Sequence, residues 1–363
     1  MEKSHEVRFG LVVITYMSLS FDTACLPLLL GSLPHRNARQ AFEVSRRYAG
    51  VLLTWPQLPQ ISFREQSFVQ SAIKFPGLVL DQSTARIYVD RTDVEKEHIR
   101  LALAYLEHNA AYASWSPHDA LGLAELEHHA TALREIRALK GQIMGPISLA
   151  LQLTDEHQRP LIYDERLLEA LVHFIWLRVI WQEAYLSEFI DTTIICVEEP
   201  LLDMVGTPFV PLGWEDIRRR LNEIFSGIVG CRALFAGGAV DWKEVLETSV
   251  DLIIADVYQH SESLLAAVGS LTAFLDRDGI VGLGIIPADA HALSHLTSEH
   301  LVQRVVDLVQ LFEQEGIASE RLLRQSVISV SGLLGSLEVA HAEHALELVQ
   351  QVSNLLRERY QFA

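Results

Sequence analysis

A rhythm of short apolar runs separated by longer segments of helical periodicity narrows the folds open to this chain more than any other feature. The runs cover 28–33, 51–55, 141–145, 193–198, 233–238, 252–257, 280–286 and 326–331. The helical segments lie at 38–48, 93–139, 165–189, 214–228, 242–248, 262–275, 298–314 and 338–360. A short continuous apolar run bounded by turn residues reads as a strand buried on both faces. The last segment carries Val339, Ala342, Ala345, Leu346, Val349, Val352 and Leu356 as a one-sided helical stripe. Eight runs alternating with eight helices predict an α/β fold, a single (β/α)8 TIM barrel. A doubly wound open sheet is the other arrangement of such units, but no GxGxxG follows the first run. The stretch 75–90 holds apolar 78–80 and 87–89 around Gln82-Ser83, which predicts a β-hairpin inserted after strand two.

At 363 residues the chain is long enough for one large barrel with insertions. No repeat, low-complexity tract or Pro/Ser-rich linker divides it, so 24–363 reads as one barrel behind an extension at 1–23. Twenty-nine basic and 47 acidic residues give a formal charge of −18, with no compensating basic run. A phosphate backbone would repel that surface, which sets nucleic acid aside. Cys25, Cys196 and Cys231 are too widely spaced for a disulfide framework or a local zinc finger, and fit a reducing, cytoplasmic setting. The stretch 11–30 is largely apolar, but Asp22 interrupts it and no small-residue cleavage pattern follows. It reads as an extension or strand leading into the barrel, not as a signal peptide or membrane span.

Barrel enzymes place their chemistry at the C-terminal ends of the strands. Glu198 and Glu199 end the fourth run, and successive strand residues face opposite sides, so one of them should face the pocket. A carboxylate there serves acid–base chemistry or sits in a structural ion pair. Asp256 ends the sixth run, where burial would tune its proton affinity. Tyr258 and His260 follow it; His260 is a general base or a surface histidine. Trp55, Gln57 and Tyr258 line an apolar pocket with polar handles or belong to the core.

The phrases "GSLPHRNARQAFE", "WPQLPQISFREQSFVQ", "FPGLVLD", "KGQIMGPISLAL", "VEEPLL", "DLIIADVY", "GIVGLGIIP" and "SVISVSGLLGSL" occur in that order from about Ala24 onward. Together they resemble the catalytic barrel of cobalamin-independent methionine synthase and its shorter relatives, in a superfamily with uroporphyrinogen decarboxylase. The resemblance implies methyl transfer to a homocysteine thiol from a folate or, in short relatives, a corrinoid protein. It implies that Gly31 and Ser32 hold an amino-acid carboxylate. It also implies that Glu198, and less directly Glu65, read the amine. The family's zinc keeps the thiol as thiolate, since a metal lowers a thiol pKa. Anchored on Asp241-Trp242, its His and Cys ligand positions after strand five fall on Phe235 and Gly237, and the Cys position after strand eight falls on Gly332. Only the acidic position has a counterpart, Asp256. One carboxylate cannot hold a zinc ion that needs three or four ligands, so the metal ligand set is expected to be absent.

Three functions compete. One is a zinc-free methyltransferase-like enzyme acting on a small amino acid or thiol, with Asp256 and Glu198 as its acidic groups. Another is a metal-free decarboxylase of the uroporphyrinogen type, which calls for an arginine cluster not seen at these strand ends. The last is a non-catalytic barrel that binds an amino acid, a folate or a partner protein.

Overall fold

The computed structural model describes residues 19, 21–92, 94–129, 133 and 136–362. Most of the proposed extension at 1–23 lies outside the described residues. Eight parallel strands form one sheet: β1 (Leu26–Pro27), β2 (Leu52–Thr54), β5 (Ala138–Met144), β7 (Thr193–Glu199), β8 (Cys231–Ala236), β9 (Leu252–Asp256), β10 (Ile280–Ile286) and β11 (Ser326–Val330). Each pairs with its neighbour in chain order, and β11 returns to β1. Bridges at Leu28–Leu52 and Ser32–Gln57 join β1 to β2 and bring the barrel to near closure. There Leu33 N donates to Gln57 O and Gln57 N to Gly31 O, both at 2.9 Å.

Helices surround the sheet as a parallel barrel requires, since a strand buried on both faces needs an outer apolar layer. Their starts are written in the sequence. Asn37, Asp164 and Thr297 accept backbone N–H groups at the first turns of Ala38–Ala49, Glu165–Ser187 and Ser298–Gln314. Pro146 opens Pro146–Gln152, where its missing N–H costs nothing. Val339–Arg359 packs its apolar stripe on β11 and β1. Among the described residues no helix is long and apolar enough to cross a membrane.

The expected hairpin is present as β3 (Leu78–Asp81) antiparallel to β4 (Arg86–Val89). A short strand absent from the sequence reading, β6 (Thr154–Asp155), extends it. The stretch 93–139 departs from a single helical segment. It contains helices Glu95–Leu106 and Leu121–His128, and β5 begins at Ala138. β5 starts ahead of its expected position because Lys140, a buried cation, breaks the apolar pattern of the strand. β8 likewise begins at Cys231, two residues ahead of the expected run, because Arg232 sits within it.

Arg232 and Asp251 tie the start of β8 to that of β9. Asp251 accepts from Arg232 Nε at 2.7 Å, Nη2 at 2.6 Å and backbone N at 3.0 Å, and both side chains are buried. At the other end Gly31 takes φ +115°, and a Cβ added there would meet Gln142 Nε2 at 2.8 Å. Gly31→Ala should therefore lower stability by about 1–3 kcal/mol from backbone strain, with the contact adding to it. Urea unfolding of the two proteins side by side measures the difference.

Candidate functional site at the barrel mouth

Register decides which side chains point inward. A Cβ at Gly141 would meet Gln182 of the outer helix Glu165–Ser187, so the alternate residues Lys140, Gln142 and Met144 face the interior. Met144 pairs with Glu198, Glu198 with Phe235, Phe235 with Ile254, and Gly284 with both Asp256 and Ser329. Glu198, Phe235, Asp256 and Ser329 thus share the inner face near the C-terminal ends. Glu199 points the other way, where its carboxylate accepts Ile147 N at 3.0 Å and Ser148 N at 2.7 Å at the start of Pro146–Gln152.

Glu198 is the anomaly of this interior. Its side chain is 0% exposed, and neither carboxylate oxygen meets a partner in full hydrogen-bond geometry, the Ser67 hydroxyl being a neighbour and no cation touching it. Burial pushes its carboxyl up to about 7, against a smaller opposing pull from Lys140 and the nearby Ser67 hydroxyl. Lys140 is equally buried and acts on Glu198 only through space. Its ammonium donates instead to Leu30 O at 2.9 Å and Gln142 Oε1 at 3.2 Å. Gln57 Oε1 and Ser329 Oγ are also buried without partners. Native interiors rarely leave such groups unmatched.

The remaining sequence candidates divide. Ser32 is buried beside Gln57 and beneath the loop after β11: a Cβ at Gly335 would lie 2.3 Å from Ser32 Oγ, and Gln60 Nε2 donates to Gly335 O at 3.1 Å. Asp256 accepts Gln259 N at 3.0 Å, and burial raises its carboxyl above the ordinary range. Tyr258 lies under Arg304, whose guanidinium carbon is 4.2 Å from the ring centroid and whose Nη2 donates to Tyr258 O at 2.6 Å. His260 is partly exposed beside Glu262. Trp55 does not line the mouth. Its ring faces outward, with Nε1 donating to Gln182 Oε1 at 3.1 Å and its edge against Trp115. Glu65 sits behind the wall, accepting Leu121 N at 2.8 Å and Gln70 Nε2 at 3.2 Å. Gln70 in turn accepts Gln57 Nε2 at 2.9 Å, so Glu65 reaches the mouth only through that chain of amides.

Phe235, Gly237 and Gly332 carry no donor side chains. A Cβ at Gly237 would start 3.2 Å from Pro200 O, and one at Gly332 the same distance from Ala288 Cβ. These two positions address different loops. Burial pushes the Cys25 and Cys196 thiols up to about 12 and the Cys231 thiol well above its ordinary range, which keeps all three protonated. Sequence reasoning missed Lys140 and Ser67, which no spacing rule marks; the buried cation inside an apolar strand was the available signal.

No protein-family model matches the sequence, and no curated protein matches it. Solved structures do. A B12-independent methionine synthase from Shewanella, in complex with selenomethionine, aligns with a TM-score of 0.54 and 13% identity, covering 93% of this chain and 100% of that one. A putative vitamin-B12-independent methionine synthase from Listeria monocytogenes aligns at 0.53 with 11% identity, over 87% of this chain and 85% of that one. A methyltransferase from Methanosarcina mazei aligns at 0.51 with 13% identity, over 90% and 87%. At these identities the likeness is one of fold.

Proposed function

We propose that this barrel binds a small amino-acid or thiol ligand at its C-terminal mouth, in the manner of a methionine synthase-like methyltransferase, without zinc held in that family's way. The observation that carries the reading is the fully buried Glu198 carboxylate, which no cation contacts. Burying a charge without a partner is strongly unfavourable, whereas a ligand ammonium supplies both the opposite charge and several donors. One fold neighbour was solved in complex with selenomethionine, which accords with an amino-acid ligand.

In this reading Glu198 takes the ligand amine, and the Gly31-Ser32 corner takes its carboxylate. Asp256 is the second acid at the mouth and has a raised proton affinity suited to proton exchange. Trp55 and Glu65 act indirectly by shaping the wall. A folate or a corrinoid protein would be the methyl donor if transfer occurs. The zinc of the family does not fit the mouth, because Phe235, Gly237 and Gly332 offer no ligand atoms and one carboxylate cannot hold the ion. That same lack favours the second reading, a barrel that binds its ligand without catalysis.

Calorimetric titration with methionine and with homocysteine tests the proposal. Binding is expected to both, and Glu198→Gln should weaken it by about 1–3 kcal/mol, the scale of a charge-assisted hydrogen bond. Absence of binding, or equal binding by the variant, would move the assignment to a scaffold for another partner.

A further inference from the structure

We propose that Glu169, His173 and Glu223 form a divalent-metal site of the zinc-binding class on the outer helical layer, independent of the barrel mouth. Glu169 and His173 stand one turn apart on Glu165–Ser187, and Glu223 comes from the adjacent helix Trp214–Ser226. One ligand atom from each lies within 4.8 Å of the others, a convergence found nowhere else among the described residues.

The distances suit an ion better than they suit direct pairing. His173 Nε2 lies 3.3 Å from Glu223 Oε1 and 3.7 Å from Glu169 Oε1. A charge-assisted N–H to carboxylate bond is about 2.7–2.9 Å. A tetrahedral ion with bonds of about 2.0–2.1 Å separates its ligand atoms by about 3.3 Å. His173 Nε2 thus stands at ligand spacing from Glu223 Oε1, in a long hydrogen bond that an ion would replace, and Glu169 lies slightly farther out, all three within 4.8 Å. Arg219 pairs with the outer oxygen of each carboxylate, 3.7 Å from Glu169 Oε2 and 3.9 Å from Glu223 Oε2, and would swing toward solvent when a cation binds.

The surroundings hold the ligands in place. The Tyr105 ring stacks on His173 with centroids 3.8 Å apart and planes 16° from parallel, and its hydroxyl donates to Glu223 Oε1 at 2.9 Å. Outer contacts of this kind fix ligand orientation in metal sites. A cavity of about 570 Å³ opens on Glu169 and His173, with room for an approaching ion and a water as fourth ligand. Two carboxylates and a neutral imidazole would balance the charge of a divalent ion, and the ion would staple the two helices.

The test uses the full chain, stripped with a chelator and desalted, then titrated with zinc by calorimetry and with cobalt(II) by visible absorption. One ion per chain should bind, and cobalt should give tetrahedral bands without a thiolate charge-transfer band. Glu169→Gln and Glu223→Gln should each weaken affinity by about tenfold or more, and His173→Gln by about a hundredfold. Glu169 is partly exposed, so its variant remains informative if the His173 variant does not fold. No saturable binding, a thiolate band, or unchanged affinity in the Glu169→Gln/Glu223→Gln double variant would overturn the proposal.

Discussion

Asp251→Asn is expected to destabilise the fold by about 3–5 kcal/mol, the usual cost of breaking a buried ion pair. Asp251 accepts two guanidinium bonds from Arg232 and a third from the Arg232 backbone, with both side chains buried at the base of β8 and β9. An amide keeps the shape but loses the charge, and its NH2 group presents donors where acceptors are needed. Urea unfolding at neutral pH reads the effect as a lower midpoint with an unchanged slope. A loss below about 1 kcal/mol, the range of exposed pairs, would mean that water reaches the pair.

The same acid-to-amide change at Glu198 should act in the opposite direction. Its carboxyl is raised from 4.5 to about 7 by burial, so the folded chain binds that proton more tightly than the unfolded chain. Its contribution to stability is complete below pH 4.5 and is lost as pH rises through 7. At about 1.4 kcal/mol per pH unit, the ionised carboxylate costs the free protein about 2–4 kcal/mol above pH 7. Glutamine mimics the protonated acid at every pH. Glu198→Gln should match the parent near pH 4 and exceed its stability by about that amount at pH 8. Glu65 and Glu199 are also raised to about 7 by burial, but both remain in the variant and cancel in the comparison.

The barrel was legible because strands covered on both faces must be largely apolar, and seven of the eight runs overlap their strands, while the first, 28–33, lies just past β1 and meets its neighbour only through the isolated bridges at Leu28 and Ser32. The boundary of β5 was hidden by Lys140, a cation that the interior holds through Leu30 O and Gln142. Trp55 shows the limit of reading strand ends. Its position after β2 is correct, yet alternation turns the ring toward Gln182 and the outer helix. Glu198 and Glu199 were separable in principle by the same alternation, but only the register with Met144 and Phe235 says which one faces inward. Nothing in the sequence could reveal that Glu198 lacks a cationic partner, since that depends on every neighbouring side chain. The outer cluster was half visible: Glu169 and His173 have helical spacing, but Glu223 reaches them only through the packing of two helices.

The functional reading rests on Glu198 being kept for a ligand at the expense of the free fold. Unfolding free energies of the parent and of Glu198→Gln, measured at pH 8 with and without saturating methionine, test that directly. Without ligand the variant should be the more stable by about 2–4 kcal/mol. Ligand should then stabilise the parent more than the variant and narrow the gap by about 1–3 kcal/mol. A variant less stable than the parent without ligand, and no more weakly stabilised by methionine, would make Glu198 a structural group and contradict the assignment.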